Sequence, residues 1–124
     1  MENTEAPIDK TINSIPICYI DPEGTFKYVQ ISCNKQIYVR GLTKCKYHKG
    51  IYKSFIAELA ELNLAESYPT KCIGGGRIKM SPNEKKIFVY GYSHAYGRCK
   101  HQKTVDLLKV LYPDFSISWS NDGY

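Results

Sequence analysis

Residues 25–63, TFKYVQISCNKQIYVRGLTKCKYHKGIYKSFIAELAELN, decide the fold, because the spacing of their apolar residues changes once. TFKYVQISC (25–33) and QIYVRG (36–41) are rich in β-branched and aromatic residues and read as two strands on either side of Asn34-Lys35. From Lys49 to about Asn63 the period is helical: Ile51, Phe55, Leu59 and Leu62 recur on one face. Ala57, Glu58, Ala60 and Glu61 add good helix formers.

Working outward, IPICYI (15–20) reads as a short apolar strand, and Asp21-Pro22-Glu23-Gly24 as a turn, with Pro and Gly where a type I turn favours them. Residues 1–14 are polar and without periodicity, which predicts a loose tail. Downstream, 71–80 and 85–92 read as strands joined by the turn Ser81-Pro82-Asn83-Glu84. Val105, Leu108 and Leu111 mark a second helix that Pro113 stops. Phe115, Ile117 and Trp119 alternate with serines in a last strand. The order β-β-β-α-β-β-α-β predicts a single α+β domain over 15–124. It has about six strands in a mostly antiparallel or mixed sheet and two helices.

A chain of 124 residues suits one domain, and 43% hydrophobic residues suffice for a real core. The net charge of +5 favours an anionic partner: a phosphorylated protein, a nucleic acid or a membrane surface. Cys18, Cys33, Cys45, Cys72 and Cys99 are odd in number and follow neither disulfide-scaffold nor zinc spacing, so they read as reduced thiols of a cytoplasmic protein. The polar start MENTEAPIDK lacks an apolar signal region, and no run of about 18 apolar residues is present.

The candidate chemistry centres on phosphate. A GxxxxGK loop, a His-Glu-x-x-His motif and a clustered Asp pair for Mg²⁺ are all absent, which argues against a metal-dependent phosphatase. Cys99 and His101 are two possible metal ligands without further pairs. Cys72-Ile73-Gly74-Gly75-Gly76-Arg77 is one residue short of the Cys-to-Arg phosphate loop of tyrosine phosphatases. It reads as a buried strand cysteine followed by a glycine bulge or a close backbone approach. Arg77 has a fork of donors suited to phosphate. His48 stands at the entrance of the first helix, where unpaired N–H groups favour an anion. That field and the neighbouring lysines favour a neutral imidazole, able to act as nucleophile or general base. Lys27 falls in register with Val29, Ile31 and Cys33, so it either snorkels off the strand end or reaches into a site. Ser93-His94-Ala95-Tyr96-Gly97 is a turn that can offer a hydroxyl and N–H groups to an anion.

From about residue 15 onward the chain resembles the Janus/ocnus family of phosphohistidine phosphatases. The matching stretches are GTFKYVQI (24–31), VRG (39–41), YHKGIY (47–52), CIGGGRI (72–78), KKIFVYGYSHAYG (85–97) and WSNDGY (119–124). The resemblance implies hydrolysis of phosphohistidine on proteins without a metal or organic cofactor. It puts the catalytic histidine at His48, the substrate-contacting lysine at Lys27 and the phosphate-holding Ser-x-Ala segment at Ser93, His94 and Ala95, with supporting arginines at Arg77 and Arg40. Compared with the mammalian enzyme, the Asn34-Lys35 connection is shorter and the segment before GGGR longer, and His94 replaces an apolar residue. These departures bear on substrate preference. His94 or His101 is a further candidate for shuttling a proton.

The expected protein is therefore a cytoplasmic, monomeric, metal-independent protein phosphatase. It has no cofactor, takes phosphohistidine-containing proteins as substrates, and binds neither nucleic acid nor membrane. A rival is a phosphoprotein-binding module of the same fold without hydrolysis. A nucleic-acid-binding module is a third possibility, suggested by the +5 charge and 11 Tyr.

Overall fold

The computed structural model describes residues 12–122. Its elements are β1 (Cys18–Ile20), β2 (Gly24–Cys33), β3 (Gln36–Leu42), α1 (His48–Glu61), β4 (Thr70–Ser81), β5 (Lys86–Tyr90), α2 (His101–Leu111) and β6 (Ser116–Trp119). This is the expected order, with the first strand shorter than IPICYI. The strands form one mixed sheet, β1-β3-β2-β4-β5-β6. The central pairs are antiparallel; β1 with β3 and β5 with β6 are parallel. The second parallel pair needs a crossover, and α2 supplies it.

Strand alternation sorts the core into two layers, one on each side of the sheet. Val29, Ile31 and Cys33 of β2 pack with Ile51, Phe55 and Leu59 of α1. Phe26 and Tyr28 of the same strand face the other way, toward Val105 and Leu108 of α2. Most of the expected tail, residues 1–11, lies outside the described residues. Ile12, near its end, is only 2% exposed and belongs to the first core layer. The β2–β3 hairpin turns on Asn34 and Lys35, both at positive φ (53° and 60°), as a two-residue type I′ hairpin requires.

The feature that positions the site is the glycine run in β4. Opposite β2 the register slips between Gln30 and Ile31, so Ile73 is the extra residue of a bulge next to Gly74 (φ +151°). The expected bulge is there, and the close approach is there as well. A Cβ on Gly75 would lie 2.7 Å from His48 Cδ2 on the α1 side, and one on Gly76 2.7 Å from His101 Cε1 on the α2 side. Two adjacent glycines thus admit one histidine ring on each face of the sheet.

Candidate functional site

His48 is the first residue of α1, preceded by an extended Tyr47 whose side chain does not cap the helix. The first turn holds no acidic residue, so its N–H groups and partial positive charge face no carboxylate of their own. The His48 ring is buried to 5% exposure, with Nε2 2.9 Å from the Gly76 carbonyl oxygen. A carbonyl can only accept, so Nε2 carries the proton and Nδ1 is the basic nitrogen of the neutral ring. Burial is the main influence holding the His48 pKa below its ordinary 6.5. The nearby charges of Lys27, Arg77 and His94 push the same way, and the Gly76 hydrogen bond opposes them. The neutral imidazole read from the sequence follows, with desolvation weightier than the lysines.

Lys27 lies on the His48 side of β2, between Leu42 of β3 and Arg77 of β4. Its ammonium donates to the Lys46 carbonyl at 3.0 Å, which ties the lysine to the loop entering α1. Lys27, Arg77, Thr43, Cys45 and Lys46 line a cleft of about 210 Å³. A wider apolar groove of about 400 Å³, between residues 13–18 and Leu107–Leu111, contains no candidate residue.

Ser93 is buried and closes its turn: its hydroxyl accepts from Tyr96 N–H (3.1 Å), and its backbone exchanges two hydrogen bonds with Gly97. Gly75 N–H donates to the Gly97 carbonyl (2.9 Å), so this turn is stitched to the glycine against which His48 packs. His94 and Ala95 form the exposed tip, and the His94 ring meets Tyr92 edge-on at 5.5 Å.

Arg40 is not brought to this cluster. Its guanidinium is 2% exposed and forks onto Glu58 of α1, with Nε to Oε2 at 2.8 Å and Nη2 to Oε1 at 2.9 Å. It also donates to the Pro16 and Val39 carbonyls and lies over the Phe55 ring. Arg40 binds the chain entering β1 to α1, with its donors already engaged by the protein.

His101 is on the opposite face. Its Nε2 meets the Gly91 carbonyl at 2.8 Å, so Nδ1 accepts from the Tyr28 hydroxyl at 2.6 Å. Thr104 donates to the same hydroxyl, and Gln30 donates to Thr104. Cys99 Sγ lies 4.0 Å from His101 Nδ1 with the Tyr28 hydroxyl 3.2 Å from the sulfur, a hydrogen-bonded network rather than a ligand pair. Among the described residues no three His, Cys, Asp or Glu are grouped to hold a metal ion. Cys72 is buried, and burial pushes its thiol up to about 11, so it is no thiolate nucleophile at neutral pH. The sequence missed the Gly76 carbonyl that fixes the His48 tautomer and the Lys46 carbonyl that anchors Lys27. Backbone partners leave no side-chain signal, although the glycine run did announce a close approach.

The fold and site thus define an α+β domain with a buried neutral histidine beside a cationic cleft. The chain belongs to the Janus/Ocnus family, whose sequence model matches residues 12–116. It is 38% identical over 122 residues to the 14 kDa phosphohistidine phosphatases of Sus scrofa and Homo sapiens. These alignments cover 89% of this chain and 93% and 94% of the relatives. It is 34% identical to the sex-regulated protein janus-A of Drosophila melanogaster, over 94% of this chain and 87% of that protein. Among the described residues no helix is long and apolar enough to cross a membrane.

Proposed function

We propose that this chain is a metal-independent protein phosphohistidine phosphatase with Nδ1 of His48 as the reacting nitrogen. The observation that carries this reading is the hydrogen bond from His48 Nε2 to the Gly76 carbonyl. It leaves a buried, neutral imidazole whose Nδ1 is basic, in a ring that feels the charges of Lys27 and Arg77. The names of the mammalian relatives support the substrate.

In the reaction the P–N bond of phosphohistidine breaks, a P–O bond forms from water, and the leaving imidazole nitrogen takes up a proton. His48 Nδ1 either attacks phosphorus in line, giving a phospho-His48 that water then hydrolyses, or takes a proton from the attacking water. Lys27, Arg77, the Ser93 hydroxyl and the N–H groups around His94 and Ala95 hold the phosphoryl oxygens. Arg40 takes no part in phosphate binding in this scheme, since Glu58 and main-chain carbonyls occupy it. His94, at the exposed tip of the turn, is the better placed of the two remaining histidines to meet the leaving group.

The test is phosphate release from a phosphohistidine peptide in EDTA, with His48→Ala alongside. Wild type should turn over unchanged after chelation and His48→Ala should not. Activity restored only by an added divalent metal ion would overturn metal independence. The phosphoprotein-binding alternative predicts tight peptide binding with no phosphate released.

A further inference from the structure

Among the described residues, the face of the sheet that carries His48 is only half covered. α1 packs on β2, β3 and β4, whereas β5 and β6 are packed by α2 on the other face. Beyond the N-terminus of α1 the His48 face continues in two cross-strand rows: Lys27, Arg77, Tyr90, and then Thr25, Lys79, Phe88, Ser118. His48 packs on Gly75, so these rows lie about 7 Å and about 13 Å along β4 from it.

The second row is built unlike a solvated sheet face. Phe88 is 37% exposed and its ring stacks on Tyr90, with centroids 5.1 Å apart and planes 16° from parallel. Exposed Lys79 and Lys86 flank the pair, and together with Phe88 and Ser118 they border a hollow of about 470 Å³. The acidic groups near this surface are Glu84 in the β4–β5 turn and Glu23 before β2, both at the end remote from His48. An aromatic shelf with two lysines therefore leads directly into the cationic cleft.

We propose that this half-face docks an extended, acidic segment of the protein that carries the phosphohistidine. Carboxylates about four to six residues along from the modified histidine meet Lys79 and Lys86, and an apolar side chain nearer to it rests on Phe88 and Tyr90. The proposal builds on the phosphatase activity argued above and names the kind of substrate protein it would take. Charge complementarity and continuity with the cleft single out such a segment. A nucleic acid would need a longer cationic track, because its affinity comes from neutralising several successive phosphates.

The experiment compares free phosphohistidine with two phosphohistidine peptides of equal length, one flanked by Glu and one by Lys. The enzymes are wild type, Phe88→Ala and the double variant Lys79→Glu/Lys86→Glu. Binding of the unphosphorylated Glu peptide is titrated in parallel. Wild type should prefer the Glu peptide in kcat/KM, and the double variant should lose about tenfold on it and come to prefer the Lys peptide. Phe88→Ala should raise KM for both peptides. Free phosphohistidine should be turned over within about twofold of wild type by every folded variant, because exposed residues about 13 Å (Phe88, Lys79) and about 20 Å (Lys86) from His48 along the sheet touch only the flanking segment. An unchanged peptide preference, or an equal loss on free phosphohistidine, would overturn the docking surface. So would inhibition by a single-stranded oligonucleotide at lower concentration than by the Glu peptide. Failure of wild type to release phosphate from free phosphohistidine and from both peptides would instead sink the phosphatase reading. The direct titration would still decide the surface: Glu-peptide binding weakened by Lys79→Glu/Lys86→Glu supports it, and unaltered binding refutes it.

Discussion

Gly75 and His48 are in a contact that no side chain at position 75 could share. A Cβ there would sit 2.7 Å from His48 Cδ2 and 2.5 Å from the Tyr28 carbonyl oxygen. Gly75→Ala must therefore push either the His48 ring or the β2 strand. Displacing a reacting group by an ångström costs on the order of 100-fold in rate. The expected outcome is a loss of that size in kcat, together with a lowered melting temperature. Near-normal kcat in the variant would mean that the ring is not held where the reaction needs it.

Acid should switch the enzyme off and weaken it together. The proposed reaction needs the neutral His48 ring, whose pKa lies below 6.5 chiefly because it is buried. Thus kcat/KM should rise with pH through an inflection below 6.5 and then stay level through neutrality. Lys27→Gln removes one of the charges that depress the pKa, and should move the inflection upward. Stability follows the same sign. Below 6.5 the unfolded chain takes up protons that the buried, neutral His48 and His101 refuse. The stability from these two groups is therefore fully present above 6.5 and declines as pH falls toward their native pKa values. Urea unfolding between pH 5 and 7.5 measures this, and a flat profile would contradict it.

Much of this architecture is legible in the residues themselves. The change of period after Arg40 marks out the strands and α1, and the phase of Lys27 with Val29 and Ile31 places it on its face. Arg40 misleads because a strand arginine looks the same whether it meets a phosphate or a partner 18 residues on; Glu58 sits on the surface of a well-patterned helix and announces no pairing. The glycine run declares that something approaches β4 closely. That His48 and His101 approach from opposite sides depends on the register of β4 against β2, which a bulge shifts and no local pattern encodes.

Arg40 is expected to matter for stability rather than chemistry. Arg40→Ala strands the Glu58 carboxylate and opens the carbonyls of Pro16 and Val39, and losing one member of a largely buried pair costs about 3 kcal/mol. Arg40→Met with Glu58→Leu, which removes both charges and keeps the bulk, should recover most of that loss. Chemical denaturation reads the stability, and kcat of the folded double variant should stay near wild type. A double variant that folds well but releases no phosphate would return Arg40 to the catalytic site.

The last prediction separates what His48 does from what it holds. In the proposed scheme Lys27→Ala removes one donor to the phosphoryl group, and single donors of that kind contribute about 2–4 kcal/mol to a transition state. The Lys46 carbonyl also loses its ammonium partner, so part of the effect can come from a loosened loop before α1. Lys27→Arg can keep a cation near the cleft and should restore part of the rate. His48→Asn keeps a polar side chain able to donate an amide hydrogen toward the Gly76 carbonyl, yet at neutral pH it cannot take a proton or a phosphoryl group. Its melting temperature should stay closer to wild type than that of His48→Ala, while both variants release phosphate only at background. The expected order of activity is wild type, Lys27→Arg, Lys27→Ala, and then both His48 variants together. If His48→Asn matched wild type, His48 would only tie the start of α1 to the Gly76 carbonyl. The reacting nitrogen would then have to be that of His94, since His101 has both ring nitrogens engaged, by Tyr28 and Gly91, on the far side of the sheet.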